Sequence, residues 1–221
     1  MNQNNRFLDN LRAVWKPDAR VLVIASAPDT YERNDSVCRC LKGAFAMSGL
    51  SVSSMVGCDG RNPDAVETLD TMDAVILTGG HVPTENRFMM ELRLRERLAN
   101  YKGLVIGWSA GSMNCAELVY AGPELDGEAI DPLYQRWLTG LGLTNINVFP
   151  HFDSLRNERL DGMRLIEDIT FADSMGHEII ALNEDSYLWI NDGTATLYGE
   201  AYRILDGKLE QICRDGESIV L

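Results

Sequence analysis

Three short runs of this chain are apolar on both of the faces a strand would present: Arg20–Ser26 (RVLVIAS), Asp73–Thr78 (DAVILT) and Leu104–Trp108 (LVIGW). Half-solvated antiparallel strands alternate apolar and polar residues, whereas strands without that alternation must be covered on both sides. Covered strands of this kind belong to parallel sheets held between layers of helix. The segments between the runs fit that scheme. From Arg33 to Ser48 the apolar residues recur at helical spacing, with Gly49 as a stop. Leu50–Val56 reads as a further strand, Pro63–Leu69 as a short helix, and Thr84–Tyr101, rich in Glu, Leu, Arg and Met, as a long one.

The last forty residues change character. Tyr187–Ile190, Thr194–Tyr198, Ala201–Leu205 and Leu209–Cys213 alternate, and Asn191-Asp192-Gly193 and Asp206-Gly207 between them carry the glycines that tight hairpin turns require. An antiparallel meander is therefore expected to finish an α/β fold. No repeat, low-complexity segment or Pro/Gly/Ser-rich linker divides the 221 residues, so one domain over 1–221 is expected.

Charge narrows the function. Asp and Glu outnumber Lys and Arg by 33 to 20, a net charge of −13. A field of that sign repels phosphate backbones and anionic lipid, so nucleic-acid and membrane partners are not expected. The amino terminus is polar, and no apolar run approaches the roughly 20 residues of a membrane span. Five scattered cysteines form neither a disulfide framework nor a zinc spacing. A cytoplasmic protein with reduced thiols, monomeric or homodimeric, is the expectation, and no metal or cofactor is called for.

The segment with most chemistry in it is Gly107-Trp108-Ser109-Ala110-Gly111, a G-x-S-x-G between a buried strand and a helix expected to begin near Ser112. A nucleophile on a sharp strand-to-helix turn sits in a strained conformation, and small neighbours let the backbone pass. A serine hydroxyl needs a base. Of three histidines, His151 stands at the end of a strand-like run (Ile146–Phe149) and is the best candidate. His177 reads as a solvated helix end, and His81 lies in the loop after the third strand. The base needs an orienting carboxylate. Glu184 ends the run Ile179–Leu182, with Asp185 beside it and Asp153 near His151, and any of the three could serve. Thr78-Gly79-Gly80 leaves a strand with two glycines that let backbone amides approach a substrate, and the Ala110 amide is a natural second donor to an oxyanion.

Together, Leu77-Thr78-Gly79-Gly80, Gly107-Trp108-Ser109-Ala110-Gly111, Phe149-Pro150-His151-Phe152 and Leu182-Asn183-Glu184 resemble the peptidase E (aspartyl dipeptidase) family, in the expected order from about Val21 to Tyr198. That family is related to the cyanophycinases and, more distantly, to class I glutamine amidotransferases. The resemblance implies a flavodoxin-like three-layer sandwich with a mostly parallel sheet, and a serine peptidase acting on dipeptides with an amino-terminal aspartate. It implies Ser109 as nucleophile, His151 as general base and Glu184 as third member, with Glu124 the other acidic position to weigh. Gly80 and Ala110 would form the oxyanion hole.

Two departures bear on substrate. The family loop runs Gly-Gly-Gly-Asn-Thr, whereas this chain has Gly79-Gly80-His81-Val82-Pro83-Thr84, so Gly79 and His81 would shape the substrate pocket unless His81 is only a surface-loop residue. The family's arginine for the substrate aspartate follows a longer insertion. Here Arg159 is the nearest match, although Arg156, Arg159 and Arg164 could equally line a solvated helix face. An amidase or esterase using the same three residues, or a silent homologue binding a small acidic ligand or a protein, are the other readings.

Overall fold

A computed structural model describes residues 5–221, so the first residues of the polar amino-terminal stretch lie outside the described part. Those residues gather into two compact units. One comprises Leu8–Val119 with Thr139–Asn145, and the other Tyr120–Leu138 and Ile146–Leu221 with residues up to Phe7.

The first unit is built on a parallel sheet. After α1 (Phe7–Val14), β1 (Ala19–Ile24), α2 (Tyr31–Met47) and β2 (Val52–Cys58) follow in turn. A 3-10 helix (Pro63–Thr71) then leads to β3 (Ala74–Leu77), α3 (Val82–Glu91), α4 (Leu94–Leu98) and β4 (Leu104–Gly107). The strands lie in the order β2-β1-β3-β4, all parallel. Every residue of β3 is buried and all but Arg20 of β1, as their two-faced apolar runs require. This is a mixed α/β architecture with a four-stranded parallel central sheet flanked by helices, consistent with a flavodoxin-like fold.

The helix stop at Gly49 takes a definite form. Gly49 has φ +73°, its N–H donates to the Ala46 carbonyl and that of Leu50 to Phe45, which is the paired bonding of a Schellman end. Phe45 and Leu50 are both buried there.

The long helix expected over Thr84–Tyr101 is instead two, α3 and α4, broken at Arg93 in a left-handed conformation (φ 52°, ψ 40°). Leu92 and Leu94 explain the break. Two residues apart on one helix they would face nearly opposite ways, yet both are buried in the same cluster with Phe88, Met89 and Leu98. Burying both side chains outweighs one unfavourable backbone conformation of roughly 1–2 kcal/mol.

In the second unit the expected C-terminal strands are present and antiparallel, but they do not form one continuous meander. After β5 (Leu118–Tyr120) and β6 (Trp137–Thr139) come β7 (Val148–Phe149), β8 (Arg159–Leu160), β9 (Met163–Arg164) and β10 (Ile179–Leu182). Then follow β11 (Tyr187–Asn191), β12 (Thr194–Tyr198), β13 (Ala201–Leu205) and β14 (Lys208–Cys213), with β15 (Ser218–Val220) after them. Two hairpins separate into different sheets: β11-β12-β15, and β14-β13-β10-β7 with β10 and β7 parallel. The division falls at Gly199 (φ +90°), whose bend carries the chain out of one sheet and into the other. β15 closes the outer side of β12, a strand too short to stand out in the sequence.

All five cysteines are free thiols. Among the described residues no helix is long and apolar enough to cross a membrane. Burial pushes the Cys58 thiol up to about 11, while Cys40 is exposed. Because the thiolate is the reactive form, a raised value lowers reactivity. Iodoacetamide at pH 8 is expected to alkylate Cys40 in the native protein and to reach Cys58 only after denaturation, as peptide mapping would read.

Candidate active site

The strand order creates a candidate site in the first unit. From β1 the chain moves outward to β2, then passes back across β1 to β3 and β4, so the loops leaving β1 and β3 part at the carboxyl edge. Open α/β sheets hold ligands at that divergence. Ser26 lies in one loop and Thr78–His81 in the other. The Thr78 hydroxyl ties them together, accepting from the Ser26 N–H (2.9 Å) and donating to the Ile24 carbonyl (3.0 Å).

Ser109 follows β4 at the same edge with φ 53° and ψ −121°, a conformation that costs on the order of 1–3 kcal/mol for a residue with a side chain. The flanking glycines make the turn possible. A Cβ on Gly111 would stand 2.3 Å from the Leu77 carbonyl oxygen of β3, and one on Gly107 2.6 Å from the Ser112 Cα. The chain therefore folds back against its own sheet at a spacing no side chain allows. The helix expected beyond it is a single turn, α5 (Ala110–Met113), so a helix dipole contributes little, and the local amides carry the positive end. Gly79 lies against Ser109: a Cβ there would be 2.9 Å from the Ser109 Cβ and 3.5 Å from its Oγ. Trp108, beside it, is half exposed and offers an apolar surface.

Behind α5 lies a buried polar cluster that the sequence did not announce. Asn114 donates to the Ala110 carbonyl (3.1 Å) and to Oε2 of the fully buried Glu85 (3.3 Å). Its own Oδ1 accepts from Asn86 (2.9 Å), which also donates to the Thr139 carbonyl. The cluster pins the elbow turn to α3.

In the other unit, His151 follows β7 with φ 62° and begins the one-turn helix α6 (Phe152–Leu155). Its Nδ1 lies 2.5 Å from Glu184 Oε1 at the end of β10, strands that the parallel pairing of Val148–Phe149 with Ile180–Ala181 sets side by side. The side chains are partly open to solvent, 37% for His151 and 56% for Glu184. With Nδ1 protonated, the ring donates to Glu184 and Nε2 is the nitrogen that carries the lone pair. Asp153 accepts the Glu184 N–H (3.2 Å) and so orients the carboxylate's backbone. Asp153, Glu184, Asp185, Glu200 and Asp215 line a small cavity of about 240 Å³.

The remaining sequence candidates take other places. His81 is half-buried at the residue before α3, its Nδ1 hydrogen-bonded to the Thr84 hydroxyl (2.8 Å). His177 packs at a tilt against Trp137 (centroids 4.3 Å apart) instead of standing in solvent at a helix end. The arginines do not line a helix face. Arg159 and Arg164 belong to the β8-β9 hairpin, with Arg159 donating to the Gly162 carbonyl (3.0 Å) and Arg164 forked onto Asp168. Arg156 lies over the Phe152 ring. The Glu124 N–H donates to the Glu128 carboxylate (2.8 Å). Among the described residues no group of three or more His, Cys, Asp and Glu side chains is arranged to hold a metal ion.

Comparison with known proteins decides the family. The model of peptidase family S51 matches residues 1–198. The chain belongs to peptidase family S51. Its activity is that of a serine-type peptidase. No curated protein matches. Among solved structures, a crystal structure described as a "putative peptidase E protein" from Listeria monocytogenes EGD-e is 14% identical, with a TM-score of 0.56 over 93% of this chain and 92% of that one, a likeness of fold.

For this S51 chain the elbow glycines are exacting positions. Gly111→Ala drives a methyl group into the Leu77 carbonyl and is expected to destabilise the protein by about 2 kcal/mol or more. Urea denaturation would measure the loss, and peptidase activity should fall with it.

Proposed function

We propose that Ser109, His151 and Glu184 act as a triad hydrolysing small peptides, with dipeptides carrying an amino-terminal aspartate as the leading substrate class. His151 Nε2 takes the Ser109 proton as Oγ attacks the peptide carbonyl carbon. The Gly80 and Ala110 amides hold the resulting oxyanion. His151 then returns the proton to the departing amine nitrogen as the C–N bond breaks. Water repeats the cycle on the acyl-enzyme, losing its proton to His151, and Ser109 recovers its hydrogen. Glu184 fixes the ring tautomer and favours the transient imidazolium.

The observation that carries this reading is the short His151–Glu184 contact, which leaves one ring nitrogen as a base. The strained Ser109 turn, with Gly79 packed against its side chain, supports the nucleophile assignment. The same contact favours Glu184 over Glu124 as the third member. Arg159 is exposed and retains further N–H groups beyond its Gly162 bond, so it can meet a substrate carboxylate.

Ser109→Ala is expected to lower kcat/KM on Asp-Leu by at least about 10⁴-fold, and Glu184→Gln by about 10²-fold, less than a buried carboxylate would cost because solvent screens it. Wild-type rates from Ser109→Ala would end the proposal. Arg159→Gln should raise KM for aspartyl dipeptides about tenfold, leave neutral dipeptides unaffected, and matter less at high salt. An equal effect on both substrates would remove Arg159 from the specificity pocket.

A further inference from the structure

The Gly79–Gly80 peptide is held from one side by two groups on different elements. The Gly79 carbonyl accepts from the Ser26 hydroxyl at 2.7 Å and from an Arg33 guanidinium N–H of α2 at 3.0 Å. Ser26 is itself buried and fixed, its N–H bonded to Thr78 one residue before Gly79. A Cβ on Gly80 would lie 2.5 Å from the Ser26 Oγ, so the loop is pressed onto that hydroxyl. In a trans peptide the C=O and N–H point in opposite directions. Anchoring the carbonyl on Ser26 and Arg33 therefore turns the Gly80 N–H away from them, and it donates to no acceptor among the described residues.

A peptide between two glycines has little steric resistance to flipping. Flipped, it would put a carbonyl oxygen where the oxyanion needs a donor, and would repel the charge it should hold. The geometry points to Ser26 and Arg33 as positioning residues that keep the Gly80 amide in its donating orientation. This rests on the Ser109 reading above and extends it to two residues outside the triad. Neither stands out in the sequence, because Ser26 reads as the end of a strand and Arg33 as a solvated helix position.

Loss of one oxyanion donor costs about 10²–10³-fold in kcat, and loosening an orientation should cost a part of that. Ser26→Ala is expected to lower kcat about tenfold with KM nearly unchanged, and Arg33→Met about threefold. The double variant should lose about thirtyfold or more, still within the loss of a whole donor. Arg33→Lys should restore most of the rate, and the Arg33→Met defect should shrink at high salt, since the guanidinium is exposed.

A fluorophosphonate probe of Ser109 supplies a reading that a merely structural role would not move, because its phosphoryl oxygen needs the same amide. Labelling should slow in parallel with kcat while the melting temperature stays near that of the parent. Ser26→Ala and Arg33→Met enzymes with parental kcat and labelling rates, beside an inactive Ser109→Ala, would overturn this inference and leave the triad standing. An active Ser109→Ala enzyme would instead remove the triad. If Ser26→Ala fails to fold, Arg33→Met and its salt dependence decide.

Discussion

The turn that presents Ser109 depends on a contact with no side chain in it. Gly111 lies so close to the Leu77 carbonyl of β3 that a single methyl would collide. The sheet must therefore be complete through β3 before the turn after β4 has a surface to fold against. The stability of the parallel strands becomes the rigidity of the elbow, and the unfavourable Ser109 conformation is sustained by the buried sheet beneath it.

The carboxyl edge of the same sheet supplies the rest of the first unit's site through polar links between strand ends. Thr78 bonds both to β1 and to the segment after it, Ser26 and Arg33 hold the Gly79 carbonyl, and Asn114 joins the elbow turn to Glu85. The links run from 2.7 to 3.3 Å and most are buried, where an unpaired polar group would be costly. In the other unit the imidazole and the carboxylate are neighbours because two strands lie parallel. A chain with an excess of acidic residues would meet an acidic substrate by local cations held against the general field, and Arg159 is the group proposed for that task.

The boundaries that failed in the sequence failed for packing reasons. A helix pattern over Thr84–Tyr101 gave no sign of Arg93, because every residue from Met89 to Ala99 is a good helix former and only the shared burial of Leu92 and Leu94 demands a break. The four C-terminal strands and their two hairpin pairings were legible, but the sheets that those hairpins join were not: that is a long-range choice, made here by the bend at Gly199 and by β15. His177 looked solvated because Trp137, forty residues earlier, is close to it only in space.

By itself the sequence determined the layer type, since runs apolar on both faces have to be covered twice, and it determined the elbow, since Gly107-Trp108-Ser109-Ala110-Gly111 puts its small residues where the backbone must turn back. It also placed His151 and Glu184 at strand tips. Only the tertiary structure decided that Glu184 is the carboxylate on His151 Nδ1, and that Ser26 and Arg33 grip the Gly79 carbonyl. Local pattern reports which face of an element is apolar, and a hydrogen bond between residues thirty or fifty positions apart leaves no trace in either sequence segment alone.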